Sequence, residues 1–334
     1  MIRQPFFIIG APRSGTTMLQ LALGRHSRVA APPETHFFTL TSRSRRGQRR
    51  HWEGLIRKLG IAIDPPPRRI RPGGEAREQF WRIVESYLAR VGKESATHVG
   101  EKSPEHLLRT AAILETFPEA KFVLIYRDGR DVALSLSKVP WMPRDVRLNF
   151  AVWLHYYRVQ RGLLREHPQR VICVRYEDLV RQPARELEPV LEFLGLEYEP
   201  QVAEGGGNGE AVCPHELSYK ARALEPISSG RTEVWKREMS QTQAAGLERW
   251  GGWALRELHY ECTASTSLIP AWELPWVYGR LAGVVALRTL QRKLDEFFGT
   301  CFYWPNRIAR DIPAADSADI RPSFHHESTT PLRR

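Results

Sequence analysis

The sequence predicts an α/β fold in which helices cover both faces of a parallel β-sheet, followed by a helical C-terminal extension. Three short runs carry this prediction: "PFFIIG" (5–10), "KFVLIY" (121–126) and "RVICVRY" (170–176). Each run is almost continuously apolar and is followed by a turn and a helical pattern. Strands that are apolar on both faces are typical of parallel sheets with helices on each side.

Helical patterns lie between and after these strands. "EAREQFWRIVESYLARVG" (75–92) repeats apolar residues at helical spacing, "LLRTAAILETF" (107–117) precedes the second strand, and "ARELEPVLEFLGL" (184–196) follows the third. The aromatic stretch "LNFAVWLHYY" (148–157) is interpreted as a core helix rather than a stacking platform. Right-handed βαβ units are the simplest topology that connects these elements.

The domain prediction has three parts: an α/β domain over 1–262, a helical extension over 263–312 and a disordered tail over 313–334. Within the extension, 277–299 carries an apolar stripe and a basic face, which predicts an amphipathic helix. Packing on the core or dimerisation is favoured for this helix over peripheral membrane contact. The basic and Pro-rich insertion 41–74 has two readings, a solvated loop or a lid over an anionic substrate.

Composition restricts the function classes. The 334 residues carry a formal net charge of +11, which favours anionic partners such as nucleotides, phosphorylated or sulfated substrates, nucleic acid or anionic lipid. The four cysteines are dispersed without a CxxC pair, so neither a zinc site nor a disulfide scaffold is predicted. With neither a signal-peptide pattern nor an apolar run of ~20 residues, a soluble cytoplasmic protein is expected.

The stretch "GAPRSGTT" (10–17) joins the first strand to a helix. Gly10 and Gly15 have the spacing of the nucleotide-binding pattern GxxxxGK[ST], but Thr16 replaces the lysine. Backbone N–H groups and the helix terminus at such a turn form an anion site, and Arg13 supplies a cation. The loop therefore predicts a P-loop-type sheet that binds a phosphate and one further group without magnesium. Glycines needed only for a tight strand-to-helix turn are the alternative.

The second strand ends in a similar arrangement, "LIYRDGRDVALSLSK" (124–138). Arg127 stands at the strand end and Ser135 follows eight residues later on the next helix. Because the carboxyl ends of parallel strands face the ligand crevice, these two side chains are predicted to grip one phosphate.

These motifs resemble those of sulfotransferases that use 3′-phosphoadenosine 5′-phosphosulfate (PAPS). "PRSGTT" is similar to the family's 5′-phosphosulfate loop and "YRDGRDVALS" to its 3′-phosphate motif. "VRYEDLV" (174–180) resembles a conserved strand-end motif, and "GRTEVWKREMS" (230–240) resembles a segment that closes over the nucleotide. The four motifs occur in order over residues 4–262, and the loop is most similar to bacterial and tyrosylprotein-type members.

The resemblance implies PAPS as the sulfuryl donor and assigns residues to it. Arg127 with Ser135 would bind the 3′-phosphate, and Tyr176 would lie by the adenine or simply pack at the strand end. Gly230 and Arg231 would close over the nucleotide, although Ser228 and Ser229 stand where cytosolic members have Arg-Lys. The 5′-phosphosulfate would be bound by Arg13, Ser14, Gly15, Thr16 and Thr17.

The resemblance also implies the catalytic residues, Glu34, Lys102 and Arg13. Glu34 resembles the glutamate base of tyrosylprotein members, with His36 as the fallback base. Lys102 resembles their lysine, which stabilises charge on the oxygen that leaves sulfur. Cytosolic members place a histidine base where this chain has Pro104, which favours Glu34. A surface ion pair with Glu101 or Glu105 is the alternative role of Lys102.

The predicted reaction is in-line sulfuryl transfer to a hydroxyl of an unidentified small molecule, sugar, lipid or phenol/tyrosine, without a metal. A P-loop kinase or NTPase is the first alternative, but it requires a lysine after Gly15. A basic protein that binds nucleic acid or a membrane surface is the second, but its aromatic residues are not interleaved on a recognisable motif. No nucleic-acid partner is therefore expected.

Overall fold

A five-stranded parallel sheet in the order β2-β3-β1-β4-β5 lies at the centre of the computed structural model, which describes residues 3–66, 68–207, 212, 216–263 and 279. The predicted parallel α/β sheet and its three strands are confirmed. The extended segment before Lys102 is a further strand, and a two-residue strand that the sequence did not indicate lies at the edge. The strands are β1 (Gln4–Ile9), β2 (Val29–Ala30), β3 (His98–Lys102), β4 (Lys121–Tyr126) and β5 (Val171–Arg175).

Helices account for most of the remaining described chain. Short 3-10 helices cover Pro104–Arg109, Pro168–Arg170, Pro200–Glu204 and Ala221–Leu224. The described α-helices are α1 (Thr16–Gly24), α2 (Phe37–Leu40), α3 (Arg45–Leu59), α4 (Gly74–Val91), α5 (Thr110–Thr116), α6 (Gly129–Ser137), α7 (Val146–Glu166), α8 (Tyr176–Arg181), α9 (Pro183–Leu194), α10 (Leu217–Lys220), α11 (Val234–Glu238) and α12 (Gln241–Glu257).

Both faces of the sheet are covered, as the apolar strands predict. Side chains alternate along a strand, so Phe6 and Ile8 of β1 pack in one cluster with residues of α1, α8 and α9. Phe7 and Ile9 face the opposite cluster, which contains residues of α3, α4, α6, α7 and α12.

The predicted helices over 75–92, 148–157 and 184–196 are confirmed as α4, part of α7 and α9. The stretch 107–117 differs in its first turn, where the chain continues the 3-10 helix that begins at Pro104 before α5 starts.

The basic insertion contains a helix over 45–59, so its interpretation as a solvated loop is wrong for those residues; a lid over an anionic substrate stays a prediction. In α3, Trp52, Leu55 and Leu59 lie on one buried face, while most of the arginines point outward. The Ser44 hydroxyl accepts a hydrogen bond from Gly47 N and caps the helix, and Gly60 ends it at φ 63°.

The parallel order brings the ends of the strands to one edge of the sheet. β1 lies between β3 and β4, so the loop after β1 has Lys102 on one side and Arg127 on the other. Tyr176 follows β5 on the far side of β4. The sheet therefore collects the motifs of the sequence into one crevice.

The predicted helix 277–299, the rest of the extension and the tail lie outside the described residues apart from Gly279. The boundaries of the three predicted segments stay predictions. Among the helices that the structure describes, none is both long enough and apolar enough to cross a membrane.

Two glycines of α12 test how tightly this helix packs against α7. A Cβ at Gly251 would lie 2.5 Å from a ring carbon of Phe150, whereas a Cβ at Gly246 would meet nothing within 4 Å. We expect Gly251→Ala to lower the free energy of unfolding by about 1–3 kcal/mol through overpacking. The matched variant Gly246→Ala should raise it by about 0.5–1 kcal/mol, because alanine loses less backbone entropy in a helix. Urea denaturation measures both; equal effects would contradict the packing described.

Candidate active site

The loop between β1 and α1 is fixed by close contacts with its neighbours. A Cβ at Gly10 would lie 2.4 Å from the carbonyl oxygen of Ile125 in β4. Gly15 has φ 99°, and a Cβ there would lie 2.6 Å from the ring of Tyr176. Both glycines are thus required by contacts as well as by backbone geometry.

Helix α1 begins at Thr16, as predicted, and its N-terminus faces the loop. Its first turn has neither an acidic residue nor a side-chain cap. The N–H groups of this turn and the positive end of the helix dipole are therefore suited to an anion.

Arg13 links the loop to α6 and to the segment that contains α10. Its backbone has φ 72°, in the left-handed region. Its Nε donates to Ser135 Oγ at 3.1 Å, and its Nη2 donates to the carbonyl oxygen of Tyr219 at 2.9 Å. Burial and the neighbouring Arg127 lower the pKa of the Arg13 guanidinium.

Arg127 reaches the same place from β4. Its Nη1 donates to the carbonyl oxygen of Arg13 at 3.3 Å, and its guanidinium carbon lies 4.2 Å from the centre of the Tyr176 ring. Its Nη2 contacts Asp131 and the carbonyl oxygen of Arg231. The structure therefore brings Arg127 and Ser135 together around Arg13.

Two polar atoms in this crevice lack a protein partner. Ser14 Oγ and Arg127 Nε are both buried, and within the described part of the chain neither makes a hydrogen bond. An oxyanion bound between the loop and β4 could accept from both donors, which would remove the cost of burying them unpaired.

Lys102 is the last residue of β3 and is only 1% exposed. Its Nζ donates to Thr17 Oγ1 at 3.1 Å and to Glu34 Oε1. The alternative of a surface pair with Glu101 or Glu105 is wrong, because Lys102 is buried and Glu101 accepts hydrogen bonds from Thr35 and Ser103 instead.

A second lysine, Lys220, contacts Glu34, and no pattern in the sequence indicates it. Its Nζ lies 2.7 Å from Glu34 Oε1 and 2.8 Å from Glu216 Oε1. Lys58 of α3 lies 3.8 Å from the same Glu216 oxygen. Lys220 follows Glu34 by 186 residues and belongs to none of the recognised motifs, so no local signal could have identified it.

These charges set one another's protonation. Burial alone would raise the pKa of Glu34, but Lys102 and Lys220 outweigh it and hold that pKa well below its usual range. Burial lowers the pKa of Lys102 to about 8 although Glu34 opposes the shift. Burial also opposes the charge of Lys220, but Glu34 and Glu216 raise its pKa.

His36 faces the second carboxylate oxygen of Glu34, Oε2. Its Nε2 is 3.4 Å from Glu34 Oε2, and its Nδ1 is 3.0 Å from Glu105 Oε2. The backbone of His36 has φ 50°, and its N–H donates to Ser103 Oγ at 3.0 Å.

The remaining predicted residues lie at the rim of the crevice. Gly230 and Arg231 precede α11, and Arg231 reaches Arg127 through its carbonyl oxygen rather than its side chain. Tyr176 is packed against Gly15, which agrees with the alternative of a buried strand-end aromatic. Trp235 also packs, with the guanidinium carbon of Arg130 at 3.6 Å from its ring centre.

Known proteins share sequence similarity with this chain. A model described as "Sulfotransferase family" matches residues 5–200. A putative protein-tyrosine sulfotransferase of Caenorhabditis briggsae is 27% identical over 207 residues, which are 60% of this chain and 68% of that protein. The protein-tyrosine sulfotransferase of Drosophila melanogaster is 28% identical over a segment that covers 59% of this chain and 39% of that protein. The nodulation protein NoeE of Sinorhizobium fredii is 26% identical over a segment that covers 76% of this chain and 65% of that protein. This chain therefore spans less than two thirds of the last two proteins.

Two solved structures share the fold. The sulfotransferase domain from the curacin biosynthetic pathway superposes with a TM-score of 0.51 at 19% identity, over 78% of this chain and 99% of that domain. The sulfotransferase domain of the Synechococcus PCC 7002 olefin synthase superposes with a TM-score of 0.53 at 20% identity, over 78% of this chain and 96% of that domain.

Replacing Glu34 tests the electrostatic coupling of the site. We expect Glu34→Gln to lower the pKa of Lys102 below about 8, because burial would then act without the opposing carboxylate. NMR titration of selectively labelled lysine side chains measures this pKa. Glu53→Gln, which removes an exposed carboxylate on α3, is the control and should leave it unchanged. An unaltered Lys102 pKa in Glu34→Gln would contradict the contact.

Proposed function

The chain belongs to the sulfotransferase family, and from this membership we propose that it moves a sulfuryl group from PAPS to a hydroxyl oxygen of an acceptor. The contact that carries this proposal is the one between Lys102, Glu34 and Thr17. It places a buried cation and a carboxylate directly at the start of α1, where the loop is suited to an anion.

The residues of the crevice fit the two anionic ends of PAPS. We assign Arg13, Ser14, Gly15, Thr16 and Thr17 to the 5′-phosphosulfate; the unsatisfied Ser14 hydroxyl supports this assignment. Arg127 and Ser135 are assigned to the 3′-phosphate, which the unsatisfied Nε of Arg127 supports. When bound, PAPS supplies an activated bond between sulfur and the bridging oxygen.

Lys102 would stabilise the negative charge that develops on that bridging oxygen. Its ammonium is held at the loop by Thr17, and with a pKa of about 8 it is mainly charged at neutral pH. Negative charge appears on the bridging oxygen only as the reaction proceeds, so a buried cation beside it stabilises the transition state more than the ground state. Arg13 would add a second cation from within the loop.

Glu34 would take the proton of the acceptor hydroxyl. Its depressed pKa keeps it ionised, and both lysines bind its Oε1, which leaves Oε2 to face the acceptor. A carboxylate of low pKa is a weak base, so we expect the proton to move as the new S–O bond forms and makes the hydroxyl more acidic.

The proposed acceptors are compounds that carry a hydroxyl group. The relatives named protein-tyrosine sulfotransferases support a phenolic hydroxyl among the proposed acceptors, which also include small molecules, sugars and lipids. A metal-free reaction, a cytoplasmic location and dimerisation or membrane contact through 277–299 stay predictions.

Sulfuryl transfer is tested directly with ³⁵S-labelled PAPS and a cell extract, followed by mass spectrometry of the labelled products. Wild-type protein should add label to at least one component, and Glu34→Gln should lower kcat by about 10²- to 10⁴-fold while PAPS still binds. Glu53→Gln is the exposed control. In a thermal-shift experiment, stabilisation by ATP with magnesium but not by adenosine 3′,5′-bisphosphate would instead support a kinase or NTPase.

The 3′-phosphate assignment has a separate test. Arg127→Ala should weaken the binding of adenosine 3′,5′-bisphosphate by about 10- to 100-fold, because a charge-assisted hydrogen bond is lost. Adenosine 5′-phosphosulfate, which has no 3′-phosphate, should lose much less affinity by isothermal titration calorimetry. Arg175→Ala, at the end of β5 beside Tyr260, is the matched control. Equal losses for both ligands would remove the assignment.

A further inference from the structure

His36 stands between two carboxylates of different exposure. Its Nε2 faces Glu34 Oε2 at 3.4 Å and its Nδ1 faces Glu105 Oε2 at 3.0 Å. The side chain of Glu34 is 9% exposed, that of His36 32% and that of Glu105 47%. The three groups therefore form a continuous path from the buried site to the solvent.

The other oxygen of Glu34 offers no such path. Oε1 is occupied by the ammonium groups of Lys102 and Lys220, which donate hydrogen bonds and cannot take up a further proton. Among the described contacts of Glu34, only the imidazole of His36 can accept a proton.

We propose that His36 relays the proton that Glu34 takes from the acceptor to Glu105 and the solvent. This inference rests on the proposed function, because it concerns the same base. In the transfer, the bond between sulfur and the bridging oxygen breaks, the bond between sulfur and the acceptor oxygen forms, and the acceptor's proton moves to Glu34 Oε2. Nε2 of neutral His36 then takes that proton.

The relay is completed on the solvent side. The imidazolium formed in this way gives its Nδ1 proton to Glu105 Oε2, from which it passes to water. Exchange of the partly exposed ring with water returns His36 to the tautomer that carries a proton on Nδ1. One proton is thereby released for each sulfuryl group transferred, and Glu34 is again ionised.

The charges around His36 favour the first step of this transfer, from Glu34 to the imidazole. Burial alone would raise the pKa of Glu105, but the charge and hydrogen bond of His36 hold it low, so Glu105 carries the proton only in passing to water. Burial opposes the charged ring, but Glu105 and Glu34 raise the pKa of His36 above its usual value. Lys58 opposes this shift, and the ring of His51 lies 6.5 Å away. Because the pKa of Glu34 is depressed and that of His36 is raised, a proton on Glu34 moves downhill to the imidazole.

The backbone holds His36 in this position. A φ of 50° is uncommon for a residue with a side chain, and the N–H of His36 is fixed by Ser103 Oγ, which itself donates to Glu101. A glycine tolerates this conformation without strain, so His36→Gly should fold and leave a space where the imidazole was.

The test measures ³⁵S transfer from labelled PAPS to 2-naphthol, to a tyrosine-containing peptide and to a cell extract. We expect His36→Gly to lower kcat by about tenfold or more, and added imidazole to restore activity in a saturable way. The wild-type kcat should fall as the pH decreases through the pKa of His36, because Nε2 is then already protonated, and this dependence should be absent in His36→Gly. His36→Arg keeps a cation but cannot relay, so it should stay slow.

His51→Gln is the matched control, since His51 neighbours His36 but bonds to the Thr35 carbonyl oxygen. Imidazole should not accelerate it. If Glu34→Gln abolishes transfer but His36→Gly keeps the wild-type kcat, or is slow and not restored by imidazole, the relay is wrong while the proposed function stands. If wild-type protein labels neither probe nor any component of the extract, the proposed function fails and the relay fails with it.

Discussion

The parallel pairing of β1 with both β3 and β4 is the constraint on which the site depends. Ile8 is in register with Lys102 on one side, and Ile9 is in register with Leu124 on the other. This register sets the loop after β1 between the lysine of β3 and the arginine of β4. The apolar side chains of β1 pack in both clusters, so the strand that carries the loop is held by the core on both faces.

Burial of charge connects this edge to distant parts of the chain. An unpaired buried charge is strongly destabilising, so each charged group needs a partner of opposite sign. Lys102 and Lys220 share Glu34, and Lys220 also pairs with Glu216. The described segment that contains α10 is thus attached to the site by electrostatics, and Glu34 links it to β3.

The two arginines of the crevice hold C-terminal segments through neutral acceptors. Arg13 donates to the carbonyl oxygen of Tyr219, and Arg127 donates to that of Arg231. Hydrogen bonds from a guanidinium to an anion are stronger than those to a carbonyl oxygen. Under the proposed function, binding of the phosphosulfate and the 3′-phosphate would therefore compete with the bonds that keep both segments over the crevice.

The sequence by itself determined the sheet, the loop and the motif residues, because apolar periodicity, glycine spacing and strand-end arginines are local patterns. It indicated neither the two-residue β2, which is too short for a pattern, nor the helix α3, because arginines dominate that segment. Only the tertiary structure decided that Lys220 contacts Glu34 and that Glu34, His36 and Glu105 form a line. Such contacts join residues far apart in the chain, and their geometry depends on how whole elements pack.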